Sequence, residues 1–360
     1  MRLLVATPLY PPEPGGPATY AKLLEEHLPE RGIRVKVVPF SLVRHHLPGI
    51  RHVLYALQLL RYAFQADVIF VQDTFSVGFP AVCVAWITRK PLVLRVPGDY
   101  AWEQGVQRFG VSEGIDEFQT KRYGLRVETL RSVQRFVASR ADLVIAPSKY
   151  FGRIVEGWGV DRNRLRVIYN GIDLDIDVEE PGNVPKGRIA VTVGRLTPWK
   201  GIKKLIQLME EVPDWTLVVV GDGPQRQELK REALALGVAQ RVLFVGAVSR
   251  ARMYGWCKRA DAFLLNSSFE SFSFQVVEAM YAGVPVITTS VGSLPELIED
   301  SVEGVLCTPD DMSAFKAALT STESDKATWM DRTERAQLKA REFSIENTLN
   351  KLESEILKLV

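Results

Sequence analysis

Two carboxylates, Glu270 and Glu278, bracket the start of a short helix in the segment ESFSFQVVE, which runs directly into AMYAGVPVITT. Glu270 falls in a loop ending the apolar run Ala262 to Leu265. Glu278 lies on the helix that follows, and Gly283 with Pro285 stops that helix before another strand. The first backbone N–H groups of a helix have no partner within it. The amides near Phe272, Ser273 and Phe274 can therefore receive an anion, and the helix dipole favours negative charge there. A phosphate held at such a helix start leaves one carboxylate for a ribose and the other for sugar hydroxyls, which suits a diphosphate-sugar donor. Two solvated glutamates would give the same pattern.

Other loops place polar groups just beyond strand ends. The strand Ile189 to Val193 leads into GRLTPWKG, where Arg195 and Lys200 form a pair of cations able to neutralise a leaving diphosphate and Gly201 opens a helix. A solvated turn is the alternative. The strand Thr216 to Val220 ends in GDGP, whose Gly221 and Gly223 permit a tight turn and close backbone approach. The third glycine of a dinucleotide fingerprint is missing, so a plain turn fits as well. Near the N-terminus, PPEPGGPATYAKLLEEHL sets Gly15 and Gly16 before a helix with Leu23, Leu24 and Leu28 at apolar positions. Their amides could meet a phosphate or a sugar; Pro11, Pro12, Pro14 and Pro17 would equally make a mobile loop.

The frame for these loops is an alternation of apolar strands with amphipathic helices. Leu3 to Thr7, Val35 to Pro39, Val68 to Gln72, Leu92 to Val96 and Leu143 to Ala146 form a first series. Ile189 to Val193, Thr216 to Val220, Val242 to Val245, Ala262 to Leu265 and Pro285 to Thr288 form a second, after the Pro/Gly-containing VEEPGNVPKG. This order predicts an α/β protein of two Rossmann-like, doubly wound parallel sheets. The boundaries are a first domain at 1–172, a linker and hinge at 173–186 and a second domain at 187–342, with ligand in the cleft the two domains face. A chain of 360 residues is long enough for two substantial cores.

Composition narrows the class. With 46% hydrophobic and 24% charged residues the chain reads as soluble and globular, and no apolar run reaches membrane-spanning length. The start lacks a signal-peptide pattern, so a cytoplasmic location is expected. Cys83, Cys257 and Cys307, odd in number and far apart, read as reduced, buried thiols rather than a disulfide frame or a metal site. Residues 1–175 hold 23 Lys and Arg against 17 Asp and Glu, and the remainder 22 against 26. That imbalance admits an anionic partner such as the inner face of a membrane, or a chance spread of solvated side chains. Nucleic acid is disfavoured, because zinc-finger spacing, an aromatic RNA-binding signature and a strongly basic charge are all missing. On the expected helix Lys121 to Arg140, Leu130, Val133, Phe136 and Val137 share a stripe opposite Arg131 and Arg135. These arginines and the basic 44–52 segment read either as solvated faces or as contacts to anionic lipid.

In order along the chain, Gly15-Gly16, NGID (Asn170 to Asp173), GRLTPWKG, GDGP and the Glu270/Glu278 pair resemble glycosyltransferase family 4, retaining enzymes of the GT-B fold. The resemblance spans nearly the whole chain and rests on the combination of motifs. It implies transfer of a sugar from a nucleotide-diphosphate sugar to a glycan or lipid-linked acceptor, without metal or other cofactor. Arg195 and Lys200 would hold the diphosphate, Glu278 the ribose and Glu270 the transferred sugar, with the backbone at 272–274 completing the phosphate cradle. The first domain would take the acceptor, and the final helix, within 343–360, would pack back on that domain. Two departures stand out. The family's histidine after the fourth strand is missing from LVLRVPGDYAWE, where Pro97 stands, so Asp99 becomes the candidate polar contact and Arg95 a weaker one; Asp99 fits a turn residue equally. Ser273 stands where the family often has glycine. Three other readings remain: a metal-binding Asp173/Asp175/Asp177 run, a nicotinamide dehydrogenase without its glycine fingerprint, and a sensor or scaffold that binds nucleotide sugar without turnover.

Overall fold

Strands whose side chains are buried on both faces form the centre of each sheet in the computed structural model, which describes residues 1–13 and 15–360. Pro14, part of the proline loop above, lies outside the described residues. The chain divides into two units, Met1–Tyr169 with Thr348–Val360, and Asn170–Asn347.

In the first unit, β1 (Arg2–Thr7), β2 (Arg34–Pro39), β3 (Val68–Val71), β4 (Leu92–Arg95), β5 (Leu143–Ala146) and β6 (Leu165–Val167) make a parallel sheet in the order β2-β1-β3-β4-β5-β6. Every residue of β3, β4 and β5 is buried, as expected of parallel strands covered by helices on both sides. The unit is completed by the last helix, Ile345–Leu357. Its Thr348 hydroxyl donates to the Tyr169 carbonyl at 2.9 Å, and Arg31 and Arg166 reach Glu353 and Glu355.

The second unit holds β7 (Arg188–Val193), β8 (Trp215–Val220), β9 (Val242–Gly246), β10 (Ala262–Leu265), β11 (Val286–Thr289) and β12 (Val305–Cys307), in the order β12-β11-β10-β7-β8-β9. Its core is aliphatic with aromatic ends: Leu205, Ile206, Leu217 and Val219 pack with Trp215, Phe315 and Trp329. Both sheets are therefore the parallel, doubly wound kind that the strand pattern predicts. The edge strands β6 and β12 escape that pattern because each has only three residues, mostly half-exposed, too short for a run to stand out.

Several expectations need correction. Residues 173–186, read as a linker, belong to the second unit and are tied to it. Tyr281 donates its hydroxyl to the Leu174 carbonyl at 2.6 Å, and Glu179 accepts from the Ser249 hydroxyl at 3.1 Å and pairs with Arg252. Cys83 is exposed, unlike the buried Cys257 and Cys307. The expected helix from Lys121 starts at Leu125, after a separate turn of helix Ile115–Thr120. Its buried stripe is Val127, Arg131, Gln134 and Val137, while Phe136 is exposed. Arg131 points inward because it caps carbonyls: its guanidinium donates to Lys121, Phe118 and Gln119 backbone oxygens at 2.8 to 3.0 Å and stacks on Phe118. It is thus unavailable to a lipid surface, whereas Arg135 remains exposed.

Candidate functional site

The second sheet runs outward in one direction through β7, β8 and β9 and in the other through β10 and beyond, so its topological switch point lies between β7 and β10. Loops leaving the carboxyl ends of those two strands diverge there and leave a crevice, the usual ligand position in such sheets. Lys200 follows β7 and Glu270 follows β10. The structure joins them: Lys200 Nζ donates to Glu270 Oε1 at 2.5 Å, with both side chains buried. Ser267 donates its hydroxyl to the same Oε1 at 2.6 Å, so Oε2 takes neither bond. The Lys200 stem lies beside Gly194, and Arg195, the next residue, is exposed and in no ion pair among the described residues.

These loops interlock through their backbones. Leu196 donates its amide to the Asp222 carbonyl at 3.0 Å and accepts from the Gln225 amide at 3.1 Å, which locks GDGP against GRLTP. Gly221 has φ 134°, and a Cβ there would lie 2.0 Å from the Gly194 oxygen. The glycine is required by close approach as well as by conformation. The loop after β11 closes the other side, the Ser293 amide donating to the Glu270 carbonyl at 2.9 Å.

The helix Phe274–Ala282 begins where the sequence placed it and ends at Gly283, left-handed at φ 79°. Ser273 is its N-cap, the hydroxyl accepting from the Val276 amide at 3.4 Å, so the residue that departs from the family glycine has a local structural task. Phe272 is buried and packs edge-on to Phe274 and Phe343. Glu278, one turn into the helix, is buried and accepts from Arg250 Nε at 2.8 Å. Burial raises its pKa, and the Arg250 charge and hydrogen bond offset this in part. Arg250 and Ser267 were invisible to motif reasoning. Arg250 opens the helix Arg250–Arg259, 28 positions before its partner, and only the fold brings it near. Ser267, three residues ahead of Glu270, offered a spacing but no distinguishing pattern.

In the first unit the switch point falls between β1 and β3, and the loop carrying Gly15 and Gly16 leaves β1 beside it. Gly15, at φ 147°, precedes the helix Gly16–His27, whose first turn has no side-chain cap. Asp99 is fully buried as the N-cap of the helix Tyr100–Arg108. Its Oδ1 accepts from the Trp102 amide at 3.0 Å and from Gln134 Nε2 at 3.1 Å, and its Oδ2 from Gln119 Nε2 at 2.8 Å. Burial raises its pKa and these bonds oppose the rise. Arg95, at the end of β4, is buried with its guanidinium 3.9 Å from the centre of the Tyr20 ring. Among the described residues no group of three or more His, Cys, Asp or Glu side chains could hold a metal ion, and Asp173 is occupied with the Asp175 amide at 3.0 Å.

Comparison with known proteins bears on the family and the fold. Residues 5–176 match the family described as Glycosyltransferase Family 4, and residues 175–342 match Glycosyl transferases group 1. An uncharacterized glycosyltransferase of Methanocaldococcus jannaschii is 35% identical over 162 residues, 41% of this chain and 42% of that protein. The glycogen synthase of Mycobacterium tuberculosis is 28% identical over 273 residues, 74% of this chain and 62% of the enzyme. The matches thus span between about two fifths and three fifths of these relatives' own length. Among solved structures, Anabaena HepE in complex with UDP-glucose superposes with a TM-score of 0.80 at 23% identity, covering all of both chains, which establishes the GT-B fold.

Proposed function

Because the chain belongs to the glycosyltransferases, with a family 4 domain followed by a group 1 domain, we propose that it transfers a sugar from a nucleotide-diphosphate sugar to a glycan or lipid-linked acceptor with retention of configuration. The observation that carries this reading is the Lys200–Glu270 pair across the switch point of the second sheet, with Glu270 on the loop that leads into the N-terminus of the helix Phe274–Ala282. The arrangement gathers cations and amide donors for a diphosphate and carboxylates for hydroxyls.

In this reading the acceptor hydroxyl attacks the anomeric carbon from the side on which the diphosphate leaves. The new carbon–oxygen bond forms as the bond to the phosphate oxygen breaks. The electron pair stays with the diphosphate, whose oxygen takes the acceptor's proton. Arg195 and Lys200 offset the charge that develops on the leaving group, Glu270 holds sugar hydroxyls through Oε2, and Glu278 takes the ribose. The backbone at 272–274, Gly15, Gly16, Gly221 and Gly223 permit close approach of the donor. Asp99 enters as a positioning residue, since both of its oxygens hold its own domain together. The chemistry needs neither metal nor cofactor, and a cytoplasmic location is consistent with three free thiols. The sensor alternative has one observation in its favour: the polar group nearest the family's missing histidine, Asp99, is fully buried.

The test is thermal stability of the protein and of Glu278→Ala with UDP, GDP, ADP and their sugar conjugates, with NADH as control. A ligand at a hundred times its Kd adds about 2.7 kcal/mol. Stabilisation by one nucleotide family, lost in Glu278→Ala, followed by transfer that survives EDTA, is the expected result. Stabilisation without transfer supports the sensor, and stabilisation by NADH alone overturns both.

A further inference from the structure

The helix Ile50–Ala63 of the first unit is apolar on both sides. Tyr55, Leu59 and Ala63, four apart, are buried, whereas Ile50, Val53, Leu57 and Phe64 form a second stripe and are each more than half exposed. A helix that packs on a sheet by one stripe has no need of the other. The neighbouring helix Gly78–Thr88 repeats the arrangement with Phe79, Ile87 and Trp86, the last 83% exposed. The third helix of the row, Leu125–Arg140, contributes Phe136, whose ring lies 6.1 Å from that of Phe79. A cavity of about 480 Å³ is lined from the second and third helices by Trp86, Val82 and Phe136 with Lys90, Arg140 and Asp142. The Asp142 carboxylate is engaged by the Leu92 amide at 2.8 Å.

Charge on this face is predominantly positive, the exposed Asp142 carboxylate beside Arg140 being the exception. No Asp or Glu occurs between Glu30 and Asp67, between Asp73 and Asp99, or between Glu128 and Asp142, so the first two helices and the last three turns of the third carry no carboxylate. Arg61, Arg89, Arg135 and Arg140 are exposed at its margins. Exposed aliphatic and Trp side chains alongside an excess of cations match a surface that is apolar below and anionic above. We propose that this three-helix face docks on an anionic lipid bilayer, with Leu57 and Trp86 entering the boundary between headgroups and acyl chains and the four arginines meeting lipid phosphates. The docking surface lies wholly in the first unit and stands apart from the donor chemistry assigned to the second.

The test is co-sedimentation of the full chain with vesicles of phosphatidylcholine alone and vesicles in which about a third of the lipid is phosphatidylglycerol. The protein should partition to the anionic vesicles only and be released by salt. Leu57→Ser/Trp86→Ser and Arg61→Glu/Arg89→Glu/Arg135→Glu should each lower partition about tenfold or more. These side chains are exposed, so both variants should melt as the parent does and keep their stabilisation by nucleotide. Lack of binding to anionic vesicles, equal binding to both kinds, or variants that partition like the parent would overturn the proposal. So would sedimentation equilibrium showing a dimer that Leu57→Ser/Trp86→Ser dissociates, since the face would then be covered by a second copy. Vesicle binding without any nucleotide stabilisation would instead refute the donor reading and leave this surface standing.

Discussion

Replacing Lys200 tests whether the ammonium serves the diphosphate or only neutralises Glu270. The pair is close at 2.5 Å, and the two side chains are 11% and 7% exposed. Lys200→Ala strands the carboxylate with Ser267 as its remaining partner. Breaking a buried pair from one side costs about 3–5 kcal/mol, and melting should fall by roughly 2–4 °C for each of these in a unit of this size. Turnover should fall about a hundredfold or more if the cation stabilises the leaving group. A single variant confounds these losses. Lys200→Ala/Glu270→Gln removes both charges, leaves the net charge of the site unchanged, and should recover most of the melting temperature. Glu270 is assigned to the sugar, so this double variant should still bind the nucleoside monophosphate as the parent does. Its affinity for the nucleoside diphosphate should drop about tenfold to a hundredfold, the worth of a charge-assisted hydrogen bond. The assay is calorimetric titration with the two nucleotides. A double variant that melts normally and keeps the parent's preference for the diphosphate would show that Lys200 has only a structural task.

Three further outcomes follow from the site. Burial holds the folded-state pKa of Glu278 above its ordinary 4.5, so the fold favours the protonated form; stability from this group is fully present below that ordinary value and is lost as pH rises through the raised one. Glu278→Gln should therefore gain melting temperature relative to the parent across that rise, and parallel melting curves against pH would refute the linkage. Asp99→Asn turns one acceptor oxygen into a donor facing either the Gln119 amide or, in the other orientation, the Gln134 amide with the Trp102 N–H, and should cost about 1–3 kcal/mol in denaturant unfolding. If transfer falls in proportion to the folded fraction alone, Asp99 acts through the fold, and unchanged stability with lost transfer would contradict the positioning role. Gly221→Ala puts a methyl 2.0 Å from the Gly194 oxygen at a φ of 134°, so nucleotide should no longer raise its melting temperature. Stabilisation equal to the parent's would mean that the two loops are less tightly locked than their hydrogen bonds imply.

The legible part of this fold is the part whose periodicity survives burial. Ala262–Leu265 and Leu143–Ala146 are recovered to the residue because a central parallel strand must be apolar on both faces, and helices cover both sides. The edge strands Leu165–Val167 and Val305–Cys307 have three residues each and are mostly half-exposed, too short to stand out in the sequence. Glu270, Lys200 and Glu278 were legible as residue types at strand ends and on one helix. What could not be read is pairing: which cation meets which carboxylate depends on the order β10-β7-β8, a property of the sheet. The 173–186 segment shows the opposite failure. Its Pro/Gly content describes a chain that cannot join a helix or a sheet, yet Glu179 and Leu174 are fastened through a carboxylate and a carbonyl that composition does not weigh. Arg131 failed for a related reason, since a helical wheel assigns arginine to solvent while local carbonyls bond it inside.

The distribution of charge in the second unit bears on how a diphosphate would be held. Lys200 is matched by Glu270 and Arg250 by Glu278, so each pair is close to neutral and each cation already has a carboxylate to satisfy. A diphosphate entering there meets little net positive charge from those two pairs. Arg195, exposed and without an ionic partner among the described residues, is different: its full charge is available to a phosphate. The positive end of the helix dipole at Phe274 adds to it. The carboxylates then have a second consequence. A site whose lysine is pre-paired holds that lysine in one place before substrate arrives, which reduces the ordering that binding must otherwise impose. In the proposed reading the same pairing limits attraction to the diphosphate of the intact donor, and the ammonium gains most when the diphosphate acquires additional charge, as in the leaving group and the free nucleoside diphosphate. A contact that strengthens as the bond breaks raises turnover more than affinity, and that is the contact the proposed reading gives the paired lysine.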